Sequence, residues 1–136
     1  MKTYNLFISH SWTYGDAYDR LENLLTQRTY FRFRNYSVPQ NDPIHNAGTE
    51  RALRAAIKSQ MAPSSVVLVL AGVYATYSKW INVELDLAIN GFTSRKPIVA
   101  IEPWGSERTS TRVKNAADRI VKWNTESVVA AIRELA

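Results

Sequence analysis

Residues 65–71 read Ser-Val-Val-Leu-Val-Leu-Ala, with five aliphatic residues in succession. Such a run is typical of a β-strand buried on both faces, and strands of that kind belong to parallel sheets covered by helices on both sides. Outward from this stretch in both directions, short apolar runs alternate with longer helical patterns. We therefore predict an α/β fold built on a parallel sheet.

The alternation predicts five strands and four helices. The strands are expected at residues 4–9, 30–37, 65–71, 97–101 and 119–123. The helices are expected at residues 16–27, 49–61 and 78–89 and from about residue 125 onward, with Thr49 as the N-terminal cap of the second. Residues 102–115 carry no clear pattern, so no element is predicted there.

The chemistry of the strands predicts their order. Phe31 and Phe33 alternate with arginines in the second strand, which is typical of a sheet edge. The fifth strand is short and carries Arg119 and Lys122, which favours the opposite edge. We predict one domain over residues 1–136 with a three-layer, flavodoxin-like fold and a five-stranded parallel sheet in the order 2-1-3-4-5. In that order a ligand crevice opens at the carboxyl ends of strands one and three.

Composition excludes several classes of function. The 136 residues include no cysteine and only two histidines, His10 and His45, so we expect no disulfide and no Cys- or His-based metal site. No apolar run of about 18 residues is present, and the N-terminus lacks the apolar stretch of a signal peptide, so we expect a cytoplasmic protein without membrane contact. The net charge of +5 suits an anionic partner, but the basic residues are scattered, so a nucleic-acid interface is only weakly supported and a phosphate-bearing small ligand fits the charge equally well.

Glu84 is the candidate functional residue with the clearest signal. On a helical wheel of residues 78–89 it falls inside the apolar arc, whereas Asn82 and Asp86 lie on the opposite, solvated side. A carboxylate on a packed face costs several kcal/mol unless it is paired, hydrogen-bonded or at a cavity. Two interpretations remain open from the residues alone: a structural role, as an ion pair with an arginine or a helix cap, and a functional carboxylate at the rim of the crevice.

Common nucleotide-binding and hydrolase motifs are absent. The five glycines are isolated, so neither G-x-G-x-x-G, nor a P-loop, nor G-x-S-x-G occurs. A receiver domain would need an aspartate at the end of strand three, where this chain has Ala71. A flavodoxin-type nucleotide or flavin site remains an alternative, because Ser9, Ser11 and Thr13 form a hydroxyl-rich stretch after strand one.

Three segments, in order along the chain, resemble a TIR (Toll/interleukin-1 receptor) domain, and in particular the compact bacterial TIR-like proteins of Thoeris antiphage defence. Residues 4–11 read Tyr-Asn-Leu-Phe-Ile-Ser-His-Ser and resemble the opening strand of the family. Residues 78–85 resemble the Ser-x-Trp-x-x-x-Glu-Leu motif that carries the catalytic glutamate of NAD-cleaving members. Residues 31–39, followed by Asp42 and Pro43, resemble the second strand and loop of the TIR-like subgroup.

The resemblance implies an enzyme that consumes NAD and releases nicotinamide, with NAD as substrate and no separate cofactor. The product would be an ADP-ribose-derived signal. Glu84 would be the catalytic residue, since stabilising an oxocarbenium-like ribose requires a carboxylate and the neutral leaving group requires no acid. The candidate substrate-binding residues are Phe7, Ser9, His10, Ser11, Trp12, Asn35, Asp42, Ser78 and Trp80.

Two departures from the family pattern bear on function. Ile81 stands where many TIR domains have cysteine, which changes packing rather than chemistry. Residues 38–48 do not follow the loop pattern of animal adaptor TIR domains. A non-catalytic interaction module therefore remains an alternative to the enzyme. Because TIR domains often act in assemblies, the resemblance also implies self-association or assembly with a partner.

Overall fold

A computed structural model of the chain describes residues 2–9, 16–37, 49–70, 79–102 and 111–136. Within these ranges the strands are β1 (Thr3–Ser9), β2 (Arg32–Asn35), β3 (Val66–Leu70), β4 (Ile98–Ile101) and β5 (Arg119–Val121). The helices are α1 (Asp16–Gln27), α2 (Glu50–Met61), α3 (Lys79–Asn90), α4 (Thr111–Ala116) and α5 (Thr125–Leu135). Strands and helices alternate strictly in the described part of the chain.

The five strands form one sheet in the order β2-β1-β3-β4-β5, and all four neighbouring pairs are parallel. The predicted order is therefore confirmed. All five residues of β3 are buried, as its uninterrupted aliphatic sequence predicts for a central strand. At the edge, the Arg32 and Arg34 side chains of β2 are exposed.

Two hydrophobic cores lie on opposite faces of the sheet. Along each strand, successive side chains alternate between them: Phe7 belongs to one core and its neighbours Leu6 and Ile8 belong to the other. The first core contains residues of α2, α3 and α4, and the second contains residues of α1 and α5. The fold is thus a three-layer α/β/α structure.

Both ends of β2 differ from the prediction, which covered residues 30–37. Tyr30 has a φ of 57°, in the left-handed region, so the chain enters the strand only after it. Beyond Asn35, the Asn35 side chain accepts a hydrogen bond from the backbone N–H of Ser37 at 2.9 Å. This local turn takes the chain out of the strand.

Helix α4 was missed by the sequence analysis, which predicted no element over residues 102–115. It has six residues, and only Val113 and Ala116 are buried. Two buried positions in less than two turns do not establish a helical period. The predicted cap of α2 is confirmed, because the Thr49 side chain accepts a hydrogen bond from Ala52 N.

Candidate functional site

The site is built where β1 ends and α3 packs on the sheet. Ser9 is the last residue of β1, and it is paired in register with Val69 near the end of β3. Since side chains alternate along a strand, Ser9 lies on the same face as Phe7, the face that α3 covers. The carboxyl ends of β1 and β3, where the predicted crevice opens, therefore bring Ser9 to the α3 side of the sheet.

Glu84 is buried in the middle of α3, as the helical wheel predicts. Only 4% of the residue is exposed, and its neighbours Val83 and Leu85 belong to the core between α3 and the sheet. The helix begins at Lys79, so Glu84 is too far along it to act as an N-terminal cap. Within the described part of the chain, no basic side chain forms an ion pair with Glu84. Among the described residues, neither an ion pair nor a helix cap accounts for this carboxyl group.

The two polar groups at this position are buried without hydrogen-bond partners. Neither Glu84 Oε2 nor Ser9 Oγ is hydrogen-bonded to any residue that the structure describes. Burial raises the pKa of the Glu84 carboxyl to about 8, and the nearby Ser9 hydroxyl opposes that rise without reaching hydrogen-bond geometry. Unsatisfied buried polar atoms are rare in folded proteins, and their presence here is typical of a functional site.

Asp86, two residues further along α3, has the opposite environment. It forms an ion pair with Arg54 of α2 and accepts a hydrogen bond from Asn90 at 3.0 Å. These contacts, Asn90 first, lower the pKa of the Asp86 carboxyl. Helix α3 thus carries a half-exposed carboxylate paired with Arg54 and a buried carboxyl group that has no ion-pair partner among the described residues.

Asn35 lies at the carboxyl end of β2, where its amide is engaged by other protein groups. It donates to Tyr18 OH at 2.6 Å and to Glu22 Oε2, and it accepts from both the backbone N–H and the hydroxyl of Ser37. The Ser37 hydroxyl in turn accepts from the backbone N–H of Ile8 at 2.8 Å. The sequence analysis assigned no role to Ser37, although Asn-x-Ser at the end of a strand is a signal for such a side-chain turn.

The structure describes only some of the predicted site residues. Ser9 and Glu84 are adjacent, and Phe7 is completely buried in the core that α3 covers. The backbone of Trp80 belongs to the first turn of α3, but its side chain lies outside the description. Five predicted residues lie outside the described ranges: His10, Ser11, Trp12, Asp42 and Ser78. Substrate contacts by the predicted residues stay predictions.

The described residues show neither a metal-binding group nor a membrane-spanning helix. Among the described residues, no group of three or more His, Cys, Asp or Glu side chains is arranged to hold a metal ion. None of the helices in the described ranges is both long and apolar enough to cross a membrane.

Comparisons with known proteins agree with this architecture. The SEFIR domain of the interleukin-17 receptor B matches with a TM-score of 0.59, at 11% sequence identity, over 98% of this chain and 94% of that one. At this identity the match shows the fold alone. A search of curated proteins found no match. The sequence model of the TIR-like domain of the Thoeris protein ThsB matches residues 7–108, a range that includes Ser9, Asn35 and Glu84. The chain therefore belongs to the ThsB TIR-like domain family.

Proposed function

We propose that this protein cleaves NAD at the bond between ribose and nicotinamide and that Glu84 is the catalytic carboxylate. The observation that carries the proposal is a carboxyl group that is 4% exposed, has no ion-pair partner among the described residues and lies beside an equally unpartnered serine hydroxyl. A fold maintains such a group against its desolvation cost when the group serves a ligand. Membership of the TIR-like family supports the same assignment.

The reaction needs charge stabilisation more than proton transfer. When the bond between ribose C1′ and the pyridinium nitrogen breaks, its electron pair goes to nicotinamide, which leaves as a neutral molecule. The ribose is left as an oxocarbenium-like cation, which water or another nucleophile then captures. A carboxylate in a site with little water stabilises that cation strongly, because solvent does not screen it.

The ionisation of Glu84 follows from its burial. Since its pKa is about 8 in the free protein, most molecules carry a neutral carboxyl group at pH 7. The pyridinium ring of NAD is cationic, and a cation nearby favours the carboxylate. Substrate binding is then coupled to loss of the Glu84 proton. We expect kcat/KM, which reports the free enzyme, to rise with pH up to about 8.

Glu84→Gln tests the proposal. Glutamine keeps the size of the side chain and removes the charge, so we expect nicotinamide release to fall by ~10²-fold or more. Asp86→Asn is the matched control on the same helix, and it should retain the wild-type rate. Both variants are compared with wild type by chromatographic detection of nicotinamide. The assay covers a range of protein concentrations, because TIR-like domains commonly interact with other TIR domains and we expect activity to depend on self-association.

Two outcomes would contradict the proposal. A Glu84→Gln protein that releases nicotinamide at the wild-type rate would remove Glu84 from the mechanism. A wild-type protein that releases none, whether dilute, concentrated or assembled, would favour a non-catalytic interaction module.

A further inference from the structure

A chain of hydrogen bonds runs from α1 through the end of β2 to the end of β1. Its central member is the Asn35 amide, which uses its full hydrogen-bonding capacity. The nitrogen donates twice, to Tyr18 OH and Glu22 Oε2, and the oxygen accepts twice, both times from Ser37. An amide held at four points has little freedom to move, so it fixes the Ser37 hydroxyl in turn.

The Ser37 hydroxyl replaces a backbone carbonyl in the sheet. β2 pairs with β1 as far as the partners Leu6 and Asn35, and the Tyr36 N–H still reaches Leu6 O at 2.8 Å. The next group of β1 that faces this edge is the Ile8 N–H, and it donates to Ser37 Oγ at 2.8 Å. Ser37 is 6% exposed and Ile8 is 1% exposed, so this hydrogen bond is shielded from water.

Ser9 directly follows Ile8, and its side chain has no anchor of its own. Ser9 Oγ has no hydrogen-bond partner among the described residues, so its position depends on the backbone that carries it. On one side that backbone is paired with β3. On the other side, the Ser37 hydroxyl is the contact that holds β1 one residue before Ser9. The Ser9 hydroxyl is in turn the described group that favours the charged form of Glu84.

We propose that Ser37, held by Asn35, is a positioning residue that sets the distance between the Ser9 hydroxyl and the Glu84 carboxyl group. This inference rests on the proposed function, in which Glu84 is the catalytic carboxylate. Ser37 itself is buried, at 6% exposed, where it contacts the Ile8 N–H. It acts through the backbone of β1, and its loss lets the end of that strand move away from α3.

The test measures the titration of Glu84 directly, by carbon-13 NMR of the glutamate carboxyl groups, with Glu84→Gln to assign the signal. We expect Ser37→Ala and Ser9→Ala each to raise the pKa of Glu84 by roughly half a unit, because the carboxylate loses the hydroxyl that favours it. In the Ser9→Ala background, Ser37→Ala should cause no further rise. This non-additivity is the signature of one residue acting through another.

Two variants serve as controls. Ser64 is as buried as Ser37, at 4% exposed, and its hydroxyl donates to Met61 O at 2.7 Å, at the opposite end of the sheet. Ser64→Ala should leave the titration of Glu84 unchanged. Ser37→Thr keeps the hydroxyl and should restore the wild-type value. If Ser37→Ala does not fold, Asn35→Ala replaces it, since that change removes the acceptor that fixes the Ser37 hydroxyl and should weaken its contact with Ile8.

The proposal is overturned if Ser37→Ala leaves the Glu84 titration at its wild-type value, or if it shifts that titration equally with and without Ser9. It is also overturned if Ser9→Ala has no effect, because Ser37 would then have nothing to act through. The NMR readout does not require turnover. An inactive wild-type protein would thus contradict the proposed function, while the titrations would still decide the role of Ser37.

Discussion

The two ends of the central strands treat their buried polar groups differently. At the amino ends, the Ser64 hydroxyl donates a hydrogen bond to Met61 O. At the carboxyl ends, the Ser9 hydroxyl and Glu84 Oε2 have no hydrogen-bond partner among the described residues. Lys96 completes the amino end, where its Nζ donates to Ser64 O at 2.7 Å. The polar groups there stabilise the junction between helices and strands. Those at the carboxyl end have no such partner among the described residues, as expected if they serve the proposed function.

The largest expected effect comes from Glu84, at the carboxyl ends of the strands, and it concerns how the free energy of unfolding depends on pH. The pKa of Glu84 is raised from 4.5 to about 8 in the folded protein, so between these values the folded state binds one more proton than the unfolded state. The free energy of unfolding therefore falls as pH rises through this window. Because one pKa unit corresponds to about 1.4 kcal/mol, the fall attributable to Glu84 is up to about 5 kcal/mol.

Urea denaturation at pH 4.5, 6, 7.5 and 9 measures this effect. Comparison with Glu84→Gln subtracts the contribution of the other titrating groups. In that variant, the part of the fall in the free energy of unfolding that is due to Glu84 should be missing. If the free energy of unfolding of wild type and Glu84→Gln changed with pH in the same way, the pKa of Glu84 would not be raised. A positively charged group beyond the described residues would then have to pair with the carboxylate.

A serine-to-alanine substitution should change the free energy of unfolding in opposite directions at the amino and carboxyl ends of the central strands. Ser64→Ala removes a satisfied buried hydroxyl and should lower the free energy of unfolding by about 1 kcal/mol. At pH 6, where Glu84 is neutral, Ser9→Ala removes a hydroxyl without a partner among the described residues and should raise it by about 1 kcal/mol. Thermal and urea denaturation of the two variants against wild type measures both changes. A loss of stability in Ser9→Ala would show that its hydroxyl has a partner after all.

The smallest effect is expected at Asp86. Its ion pair with Arg54 is about 40% exposed, with the two side chains at 43% and 35%, and water screens the attraction. Asp86→Asn should therefore lower stability by about 0.5 kcal/mol or less, and less still at high salt. Urea denaturation at low and high salt checks this. A loss above 2 kcal/mol would mean that α2 and α3 depend on this ion pair more than its exposure allows.

The sequence predicted those features that depend on local pattern. The strand order was predicted from the arginines of β2 and the short, charged fifth strand at the edges and from the apolar central strands, because burial and edge exposure leave signals in the sequence. The burial of Glu84 was predicted for the same reason. Helix α4 gave no such signal, since Val113 and Ala116 are too few to define a period.

The contact between Ser37 and Ile8 could not be predicted, because it joins residues 29 positions apart through one side chain. Its existence depends on where β2 ends, and strand ends are poorly defined by sequence. The four hydrogen bonds of the Asn35 amide could not be predicted either, because they depend on how α1 packs beside the end of β2. A substrate contact by Asn35 stays a prediction.

The exposed arginines of the edge strands also bear on how copies of the protein assemble. Arg32 and Arg34 line β2, and Arg119 opens β5, which has only three residues. A short edge strand offers little to pair with, and at β2 the arginines of two copies would meet along the new ladder. Arg119 of β5 is paired with Glu134 instead, so at that edge the short length is the obstacle. If copies of this protein associate, we expect contacts through helices and loops rather than strand addition at β2 or β5.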